Sequence, residues 1–579
     1  MSLDIWEGKK AQDLINAVKE VGRSISVRGN AEWVALLNGS NYKTVMKQWF
    51  LANGCAAYAD LSDLCDTWYT MTRTGWTGGV KFPIPAQDAA ASSDGVKTGD
   101  NYGLSCTPST EATANTDDYA NLPLFACVDC NVYLDSTGKP HVTAIDGIAG
   151  NFKRSDPTKI VGVLQMTGWK RAWVDTTAGY YGWDYTDLLD QPNFRPLPEA
   201  IELSDNSVRP WVVHAKYAAG ENWTCCSGQA IKVWNVSHNT SRSGIRSAWG
   251  NRYCGLTSAD DAFMKLMLYL KYGRLDSDRI LHGCNSYNYD YTPAKAETGV
   301  KRILITTSQA ANLVVGSTVC YGSSARAQNS TVDRKKITKI ETVTIDGTDY
   351  GAVYVDVDET FNTATNGHLT TMQWYTGSTD NVLGNDGGIN PTNDKYPVKI
   401  QGIEVMVGCY EVFGDTILNH ETIDTVAVEA AHICRDATKI AESITSDYRA
   451  ASFGVPKPIS AGWQYPKQMR EDSGLPELIY PIDIGGSSSA GPRDGFYLEA
   501  QSATGTREWL RFGHLNNGVG NAGFSCGNGN NGLGNANWNI GGRIFEKRVT
   551  HMRPRGGTPH ASAIPRCGEN VSYRHRRQP

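Results

Sequence analysis

The stretch that decides the fold reads RFGHLNNGVGNAGFSCGNGNNGLGNANWNIGGRIF, residues 511–545. It contains 9 Asn and 10 Gly, and no Lys, Arg, Asp or Glu lies between Arg511 and Arg543. A plain surface loop normally mixes charges, and a disordered Gly/Asn linker is the alternative. Apolar residues lie at both ends and in the middle, and Trp538 and Ile540 alternate with polar neighbours as in a strand. This pattern favours a folded, anchored surface.

The composition of the whole chain agrees with a β-rich protein. The chain has 579 residues, a net charge of -5, 59 Gly, 16 Trp and 27 Tyr. At roughly 150 residues per domain, this length suggests three or four folding units. Abundant Gly with many aromatic residues is typical of loop-rich β folds. The slightly acidic balance argues against a dedicated nucleic-acid binder, and no apolar run reaches the roughly 18 residues of a membrane span.

The 14 Cys are scattered along the chain, which indicates free, mostly buried thiols in a protein assembled in a reducing cytosol. A zinc site is the alternative, because Cys127 and Cys130 have metal-ligand spacing and Cys106 with His141 could complete the set. One such pair without a second is a weak signal. We therefore expect no metal.

Hydrophobic periodicity predicts three helices and a small β-domain. The helices are expected over 4–22, over 258–272 with Ser258 as cap and Gly273 as end, and over 422–448. The β-domain is expected over 296–376, with Asp346-Gly347 as a turn. Its predicted strands are 303–306, 313–319, 336–345 and 353–358, the last showing the period-two alternation of a half-buried strand.

The Asn-rich texture resembles the variable repeat of proteins diversified by diversity-generating retroelements. The residues that carry the resemblance are Asn516-Asn517-Gly518, Asn521-Ala522-Gly523, Asn530-Asn531 and the run from Asn535 to Arg543. In that family, reverse transcription mutates the adenines of a template repeat, and Asn codons of the AAY type are the main targets. The mutated codons never encode Lys, Glu, Gln, Met or Trp, and residues 513–537 contain none of these five.

The resemblance extends over residues 400–545. Landmarks similar to those of gut bacteriophage tail proteins with such cassettes are Gly402-Ile403-Glu404, Tyr410-Glu411-Val412, Asp494-Gly495-Phe496-Tyr497 and the run from Trp509 to Gly513. The resemblance implies an α+β protein with a C-type lectin-like domain of the formylglycine-generating-enzyme branch. In this fold the variable repeat builds a ligand-binding face on a rigid backbone. The helices at 258–272 and 422–448 would flank the sheet of that domain.

The resulting domain scheme has six parts. They are an N-terminal attachment or oligomerisation domain (1–155), the first part of a central, lectin-like region (156–295), the inserted β-domain (296–376), a Gly/Asn/Asp/Ser-rich linker (377–399), the lectin-like domain (400–550) with its variable region (511–545), and a basic tail (551–579). The tail has six Arg and one Glu, and its composition predicts disorder.

The predicted variable face consists of side chains expected to project outward from the Asn/Gly texture. They are His514, Leu515, Asn516, Val519, Asn521, Phe524, Ser525, Cys526, Asn528, Asn530, Leu533 and Asn535. The predicted structural anchors are Arg511, Trp538, Ile540 and Arg543. Exposed apolar residues among the first set would form a patch typical of a binding site. Core packing is the alternative for Phe524 and Leu533, and Leu515 matches a packed position where relatives carry Trp.

The resemblance implies a hypervariable, non-enzymatic ligand-binding protein of a phage tail. Its partners would be a host bacterial surface protein or glycan and other tail proteins, in a homotrimer located at the tail tip or fibre of the virion after assembly in the bacterial cytoplasm. No cofactor, catalytic residue, metal, nucleic acid or membrane insertion is expected. Two alternatives stay open. One is a formylglycine-generating-type oxidase, which would need paired cysteines with copper, although Cys526 has no partner at suitable spacing before Cys567. The other is a structural virion or adhesin protein with a fixed surface.

Overall fold

The protein is a β-rich α+β structure, as the composition predicts. The computed structural model describes residues 32–33, 35–37, 40–85, 94–202 and 205–546, with 37% strand against 14% helix. The helix expected over 4–22 and the tail 551–579 lie outside these residues. Within the described part of the chain, no helix is long and apolar enough to cross a membrane.

Five α-helices are described, and one of them forms the centre of the molecule. They are α1 (Tyr42–Ala52), α2 (Ser62–Met71), α3 (His238–Trp249), α4 (Ser258–Tyr272) and α5 (Thr307–Ala310). Helix α4 confirms the helix expected there, but its cap is Thr257, whose side chain accepts from the Asp260 amide, and not Ser258. Gly273 ends it in a left-handed conformation. All but two residues of α4 are buried, so the helix runs through the core rather than along a surface.

Two antiparallel sheets occupy the first part of the chain. Their strands are β1 (Thr77–Pro83), β2 (Val96–Gly99), β3 (Cys127–Leu134), β4 (Pro140–Ile145), β5 (Ile160–Met166), β6 (Trp169–Asp175), β7 (Tyr180–Thr186), β8 (Arg195–Pro196) and β9 (Trp211–Ala215). The sheet orders are β2-β1-β7-β6-β8 and β4-β3-β5-β9. Strand β1 pairs with β7, and β3 with β5, so the boundary expected at residue 155 falls between strands that pair with each other.

A six-stranded antiparallel sheet forms in the region of the expected β-domain. Its strands are β11 (Asp290–Tyr291), β12 (Arg302–Ile305), β13 (Thr318–Gly322), β14 (Val332–Ile345), β15 (Thr348–Val355) and β16 (His368–Met372), in the order β11-β16-β13-β14-β15-β12, while the preceding β10 (Tyr253–Cys254) pairs elsewhere. The turn at Asp346-Gly347 joins β14 to β15, as predicted. Most of the strand expected over 313–319 is loop, because β13 begins only at Thr318.

The C-terminal part is built on one large sheet. The described strands of this part of the chain, not all of which belong to the large sheet, are β17 (Gly387–Gly388), β18 (Val398–Ile400), β19 (Ile403–Val405), β20 (Tyr410–Ile423), β21 (Val426–Cys434), β22 (Tyr448–Pro456), β23 (Gly462–Gln464), β24 (Met469–Glu471), β25 (Ile479–Pro481), β26 (Phe496–Leu498), β27 (Gly505–Phe512), β28 (Gly523–Asn528), β29 (Ile540–Gly541) and β30 (Phe545–Glu546). The large sheet has the order β22-β21-β20-β27-β28-β26-β23, and β29 pairs in parallel with β20. Strand β30 pairs with β10.

The prediction of a helix over 422–448 is wrong, because residues 422–434 belong to the hairpin of β20 and β21. Strands β20 and β21 are antiparallel and meet at Asp424 and Thr425, which both have positive φ. Seven consecutive residues of β21 are buried, so both faces of the strand are covered. A strand buried on both faces loses the period-two alternation and cannot be told from a buried helix by periodicity.

The segment predicted as a linker, 377–399, is packed against the protein. It contains β17 and the first residues of β18, and Asp386 within it is buried. The Asp386 carboxylate lies 2.8 Å from the ammonium of Lys271, which is in α4. This buried pair joins the segment to the central helix.

One continuous hydrophobic core connects the N-terminal and C-terminal parts. It contains Trp68 of α2, Trp183 of β7, Leu268 of α4, Phe413 of β20 and Trp509 of β27. A separate cluster fills the six-stranded sheet. The large sheet therefore rests on a rigid, well-packed base.

Candidate functional site

The stretch 511–545 divides into buried and open parts. It runs from the end of β27 through a loop to β28, then through a long loop over 529–539 to β29. Strand β28 lies inside the large sheet between β27 and β26. The two loops precede and follow β28, and they carry most of the Asn residues.

Half of the predicted variable face is buried, so the expectation that these side chains project outward is wrong for six of twelve residues. The buried ones are Leu515, Phe524, Ser525, Cys526, Asn528 and Leu533. The other six are exposed or half-buried, namely His514, Asn516, Val519, Asn521, Asn530 and Asn535. The sequence alone did not separate the buried residues from the open ones. An apolar residue between Asn and Gly gives the same sequence pattern whether it anchors a loop or faces solvent.

Residues 524–526 are buried because β28 is an inner strand of the large sheet and packs against helix α4. The Phe524 ring lies edge-on to Phe512, with ring centroids 6.0 Å apart. The amide of Ser525 donates to a carboxylate oxygen of Asp494 at 2.8 Å. The Cys526 thiol points to the carbonyl of Asn521, and burial raises the pKa of this thiol. These three positions belong to the core.

Leu515 and Leu533 each fix one of the two loops by packing into a different hydrophobic cluster. Leu515 packs into the hydrophobic cluster of the six-stranded sheet, and its carbonyl accepts from the Tyr287 amide at 2.9 Å. Leu533 packs into a cluster that includes Ile417 and Tyr448. Each loop is thus fixed by one apolar side chain, and the alternative of core packing holds for Leu533 as well as Phe524.

The predicted anchor Arg511 holds β28 by hydrogen bonds to its backbone carbonyls. Its guanidinium donates to the carbonyls of Phe524 and Cys526, the latter at 3.1 Å, and it forms an ion pair with Asp261 of α4. The side chain is fully buried. A bidentate fork is well suited to join two carbonyls and a carboxylate at once.

Arg543 anchors the other end of the stretch. Its guanidinium makes two hydrogen bonds of 2.8 Å to the carboxylate of Glu411. It also donates to the carbonyls of Ala215 at 3.0 Å and Glu404 at 2.6 Å. All these groups are buried, so the pair is desolvated and fully hydrogen-bonded.

The remaining two anchors position the last part of the loop. Ile540 is buried in β29, as expected. Trp538 is half-buried and lies with its ring 4.6 Å from the guanidinium of Arg326, a residue of the six-stranded region. The Trp538 carbonyl accepts from the Gln373 side chain at 3.2 Å. The loop end is thereby attached to both the large sheet and the six-stranded sheet.

The open parts of the stretch surround a shallow concavity, which we call the Asn basin. Its volume is about 190 Å³. It is lined by Tyr410, His514, Ile540 and six Asn side chains, those of Asn528, Asn530, Asn531, Asn535, Asn537 and Asn539. Sequence analysis missed Asn531, Asn537, Asn539 and Tyr410 as lining residues. The Asn repeats themselves were the signal for the first three, whereas Tyr410 lies on β20 and is far away in sequence.

No charged side chain lines the Asn basin. Each Asn amide offers two donors and an acceptor, so the rim can hydrogen-bond to many partners without favouring either sign of charge. The aromatic side chains lie at one end. The ring of His514 lies edge-on to Tyr410 and Trp538, with centroid distances of 4.9 and 5.7 Å. The arrangement suits a neutral ligand that is rich in hydrogen-bonding groups.

His514 is held in its neutral form. Burial, together with the positive charge of Arg326, lowers the pKa of His514 to about 4. Its Nδ1 accepts from the Asn516 amide at 3.4 Å, which requires an unprotonated nitrogen. Its own amide donates to the Asn517 side chain, which in turn donates to the Tyr410 hydroxyl at 2.9 Å.

The low pKa of His514 predicts an acid-sensitive contribution to stability. The unfolded chain binds this proton near the ordinary value of 6.5 and the folded chain only near 4, so stability is full above about pH 6.5 and falls as the pH drops toward 4. We expect His514→Asn to reduce this loss. Denaturant midpoints of wild type and variant at pH 7.5, 6 and 5 check it, and parallel pH curves for the two proteins would contradict it.

The zinc set considered from the sequence does not assemble. Cys127 and Cys130 lie three residues apart on strand β3, where such positions point to opposite faces. His141 bonds to the carboxylates of Asp60 and Asp135, and the Cys106 thiol lies 3.6 Å from Asp386. The described part of the chain has 13 cysteines, and all of them are buried, as predicted.

Comparison with known proteins adds no assignment. No protein-family model matches the chain, and a search of curated proteins finds no similar sequence.

Proposed function

We propose that this chain is a hypervariable ligand-binding protein, diversified by a retroelement and displayed at the tail tip or fibre of a bacteriophage. Its C-terminal part would be a C-type lectin-like domain of the formylglycine-generating-enzyme branch. It would bind a host cell-surface protein or glycan through the Asn basin, as a trimer attached to other tail proteins by its N-terminal region.

The observation that carries the proposal is the distribution of Asn within 511–545. Eight of the nine Asn are exposed or half-buried, and the ninth, Asn528, lines the basin. The residues of other types between them include the buried Leu515, Phe524, Ser525, Cys526 and Leu533. A mutagenic process that targets Asn codons would therefore change the binding surface and leave the packing intact.

The frame of the basin meets the physical requirement of a diversified site. Side chains that vary cannot also hold the fold, so the backbone must be fixed by others. Arg511, Arg543, Leu515 and Leu533 do this through buried contacts. None of them is Asn, and the resemblance places the mutational targets at Asn. Any weakness of one small, uncharged site would be offset by the multivalent display expected of a trimer.

The oxidase alternative has no structural observation in its favour. Its candidate copper-binding cysteine, Cys526, is fully buried, and the pKa of its thiol is raised. Catalytic thiols lie in partly exposed, electropositive surroundings that lower their pKa. Cys567 lies outside the described residues.

A genomic comparison tests the proposal. We expect a nearby reverse transcriptase and a template repeat that differs from the coding stretch 511–545 only at adenines. Sibling genes should vary at the exposed and half-buried Asn positions, such as Asn516, Asn530 and Asn535, and stay constant over 524–526. Identical residues throughout 511–545 among siblings would instead support a structural virion protein with a fixed surface.

A positive charge placed in the basin should weaken binding to host cells. We expect Asn535→Arg to weaken binding to host cells at least tenfold, about 1.4 kcal/mol, because the new guanidinium fills a neutral concavity. Asn535 is exposed, so the thermal midpoint should not change. Flow cytometry of labelled protein on candidate gut bacteria measures binding. The matched control is Asn366→Arg, which adds the same charge at an exposed position of the six-stranded region. Equal binding of both variants would exclude the basin as the site.

A further inference from the structure

Beneath the C-terminal sheet, three ligand-type side chains from distant segments converge. Glu199 lies in the short 3-10 turn Pro198–Ala200, His214 on β9 and Asp260 in the first turn of α4. They are 7%, 1% and 2% exposed. One ligand atom of each lies within 4.8 Å of the others, and no other trio of this kind occurs among the described residues.

Glu199 is the informative member of this trio. Both of its carboxylate oxygens are buried, and neither makes a hydrogen bond to another described residue. A buried carboxylate without hydrogen bonds is costly, and native proteins pair such groups or use them to coordinate metals. The backbone turn therefore brings an unsatisfied ligand to a histidine and a second carboxylate.

Among the described residues, neither carboxylate of the trio forms an ion pair with a lysine or an arginine, and His214 is the basic partner of Asp260 at 2.9 Å. Arg209 donates to the backbone carbonyl of Glu199 at 3.1 Å, while Lys170 and Arg543 act on the carboxylates of Glu199 and Asp260 only through their charge. Lys170 already pairs with Glu471 at 2.6 Å, and Arg543 pairs with Glu411 at 2.8 Å. A divalent cation would neutralise the charges of both carboxylates of the trio.

The three ligand atoms are close enough to be brought onto one ion. His214 Nδ1 and Asp260 Oδ1 are at hydrogen-bond distance, 2.9 Å apart. Two ligands about 2.1 Å from a tetrahedral ion lie about 3.4 Å apart, so a shift of about half an ångström would admit the ion between them. The His214 ring is stacked on Phe263 with centroids 4.2 Å apart, and the second oxygen of Asp260 is held by the Thr257 hydroxyl. These contacts fix the orientation of two ligands from behind, as the outer contacts of metal sites do.

We infer that Glu199, His214 and Asp260 bind one divalent transition-metal ion, with zinc as the ion that suits one imidazole and two carboxylates. Zinc accepts both nitrogen and carboxylate oxygen at these distances. The site is structural, because all three ligands are buried. The inference does not depend on the proposed function.

The ion would join three segments, two of which contact the arginines that anchor the variable stretch. The residue after His214 is Ala215, whose carbonyl accepts from Arg543 at 3.0 Å. Asp260 is adjacent in sequence to Asp261, which pairs with Arg511. The site thus lies one residue from a contact of each buried arginine that anchors the variable stretch.

The test uses the full-length protein expressed in zinc-supplemented medium. Inductively coupled plasma mass spectrometry should find about one zinc per chain. Dialysis against EDTA should remove it and lower the thermal midpoint by several degrees, and added zinc should restore both. Absence of stoichiometric metal, together with no midpoint shift on adding zinc to the EDTA-dialysed protein, would overturn the inference.

Variants locate the site. Glu199→Gln and Asp260→Asn, which keep the side-chain shape, should each reduce the zinc content at least fivefold. The matched control is His420→Gln, because His420 and Glu429 form a buried pair at 3.1 Å without a third ligand. Unchanged zinc in both ligand variants, or loss of zinc in the control alone, would place the metal elsewhere. If a variant does not fold, isothermal titration of the EDTA-dialysed wild type with zinc still tests for one ion per chain, and the absence of binding would overturn the inference.

Discussion

Replacing Arg543 by methionine is expected to lower the stability of the protein by about 3–5 kcal/mol, one of the two largest effects of any single change considered. The guanidinium is 1% exposed and makes four hydrogen bonds, two to Glu411 and one each to the carbonyls of Ala215 and Glu404. Its loss leaves the Glu411 carboxylate buried without its charge partner. The denaturant midpoint of the purified protein measures the effect.

Two further variants separate the charge effect from the loss of packing. Arg242→Met is the matched control, because Arg242 pairs with the exposed Glu442 and should cost less than about 1 kcal/mol. The double variant Arg543→Met/Glu411→Leu should recover part of the loss, since no charge is then left unpaired. A small effect of Arg543→Met, similar to that of the control, would show that the pair does not hold the end of the variable stretch.

Gly527→Ala is the second variant with a large expected effect, about 3 kcal/mol or more. A Cβ atom at this position would lie 2.1 Å from the Phe496 ring. Phe496 is buried and packs against Trp509 and Tyr480, so the ring has no space into which it can move. Overpacking of a dense core typically costs about 1–3 kcal/mol, and this approach is closer than a normal contact allows.

Gly532→Ala provides the matched comparison within the same stretch. No atom lies within 4 Å of the Cβ that this substitution would add. The stability change should stay within about 0.5 kcal/mol, as for most surface substitutions. Thermal midpoints of both variants measure the difference. Similar values for Gly527→Ala and Gly532→Ala would mean that β28 is not packed into the core and that the division into buried and open positions is wrong.

Several features were readable from the sequence because they depend on local physics. The helix 258–272 has an apolar pattern and a C-terminal glycine, and the Asp346-Gly347 turn follows from residues that tolerate positive φ. The uncharged Asn/Gly texture between Arg511 and Arg543 likewise marked the stretch that forms the basin. In each case the signal lies within one short segment.

Other features depended on contacts between distant segments. The apolar pattern of 422–448 predicts a helix, but residues 426–434 form strand β21, because sheet neighbours and core cover both of its faces. Tyr410 lines the basin and Arg326 packs on Trp538, both from other parts of the chain, and Glu199, His214 and Asp260 meet only in three dimensions. Sequence periodicity carries no information about such long-range neighbours.

By itself, the sequence determined the β-rich class, the central helix and the location of the uncharged stretch with its arginine anchors. Only the tertiary structure decided which side chains of that stretch face solvent. Leu515, Phe524 and Leu533 became core residues because three different hydrophobic clusters meet the stretch from different sides. Burial is a property of the packed neighbours and not of the residue alone, so the same Asn/Gly texture contains both the frame and the open surface.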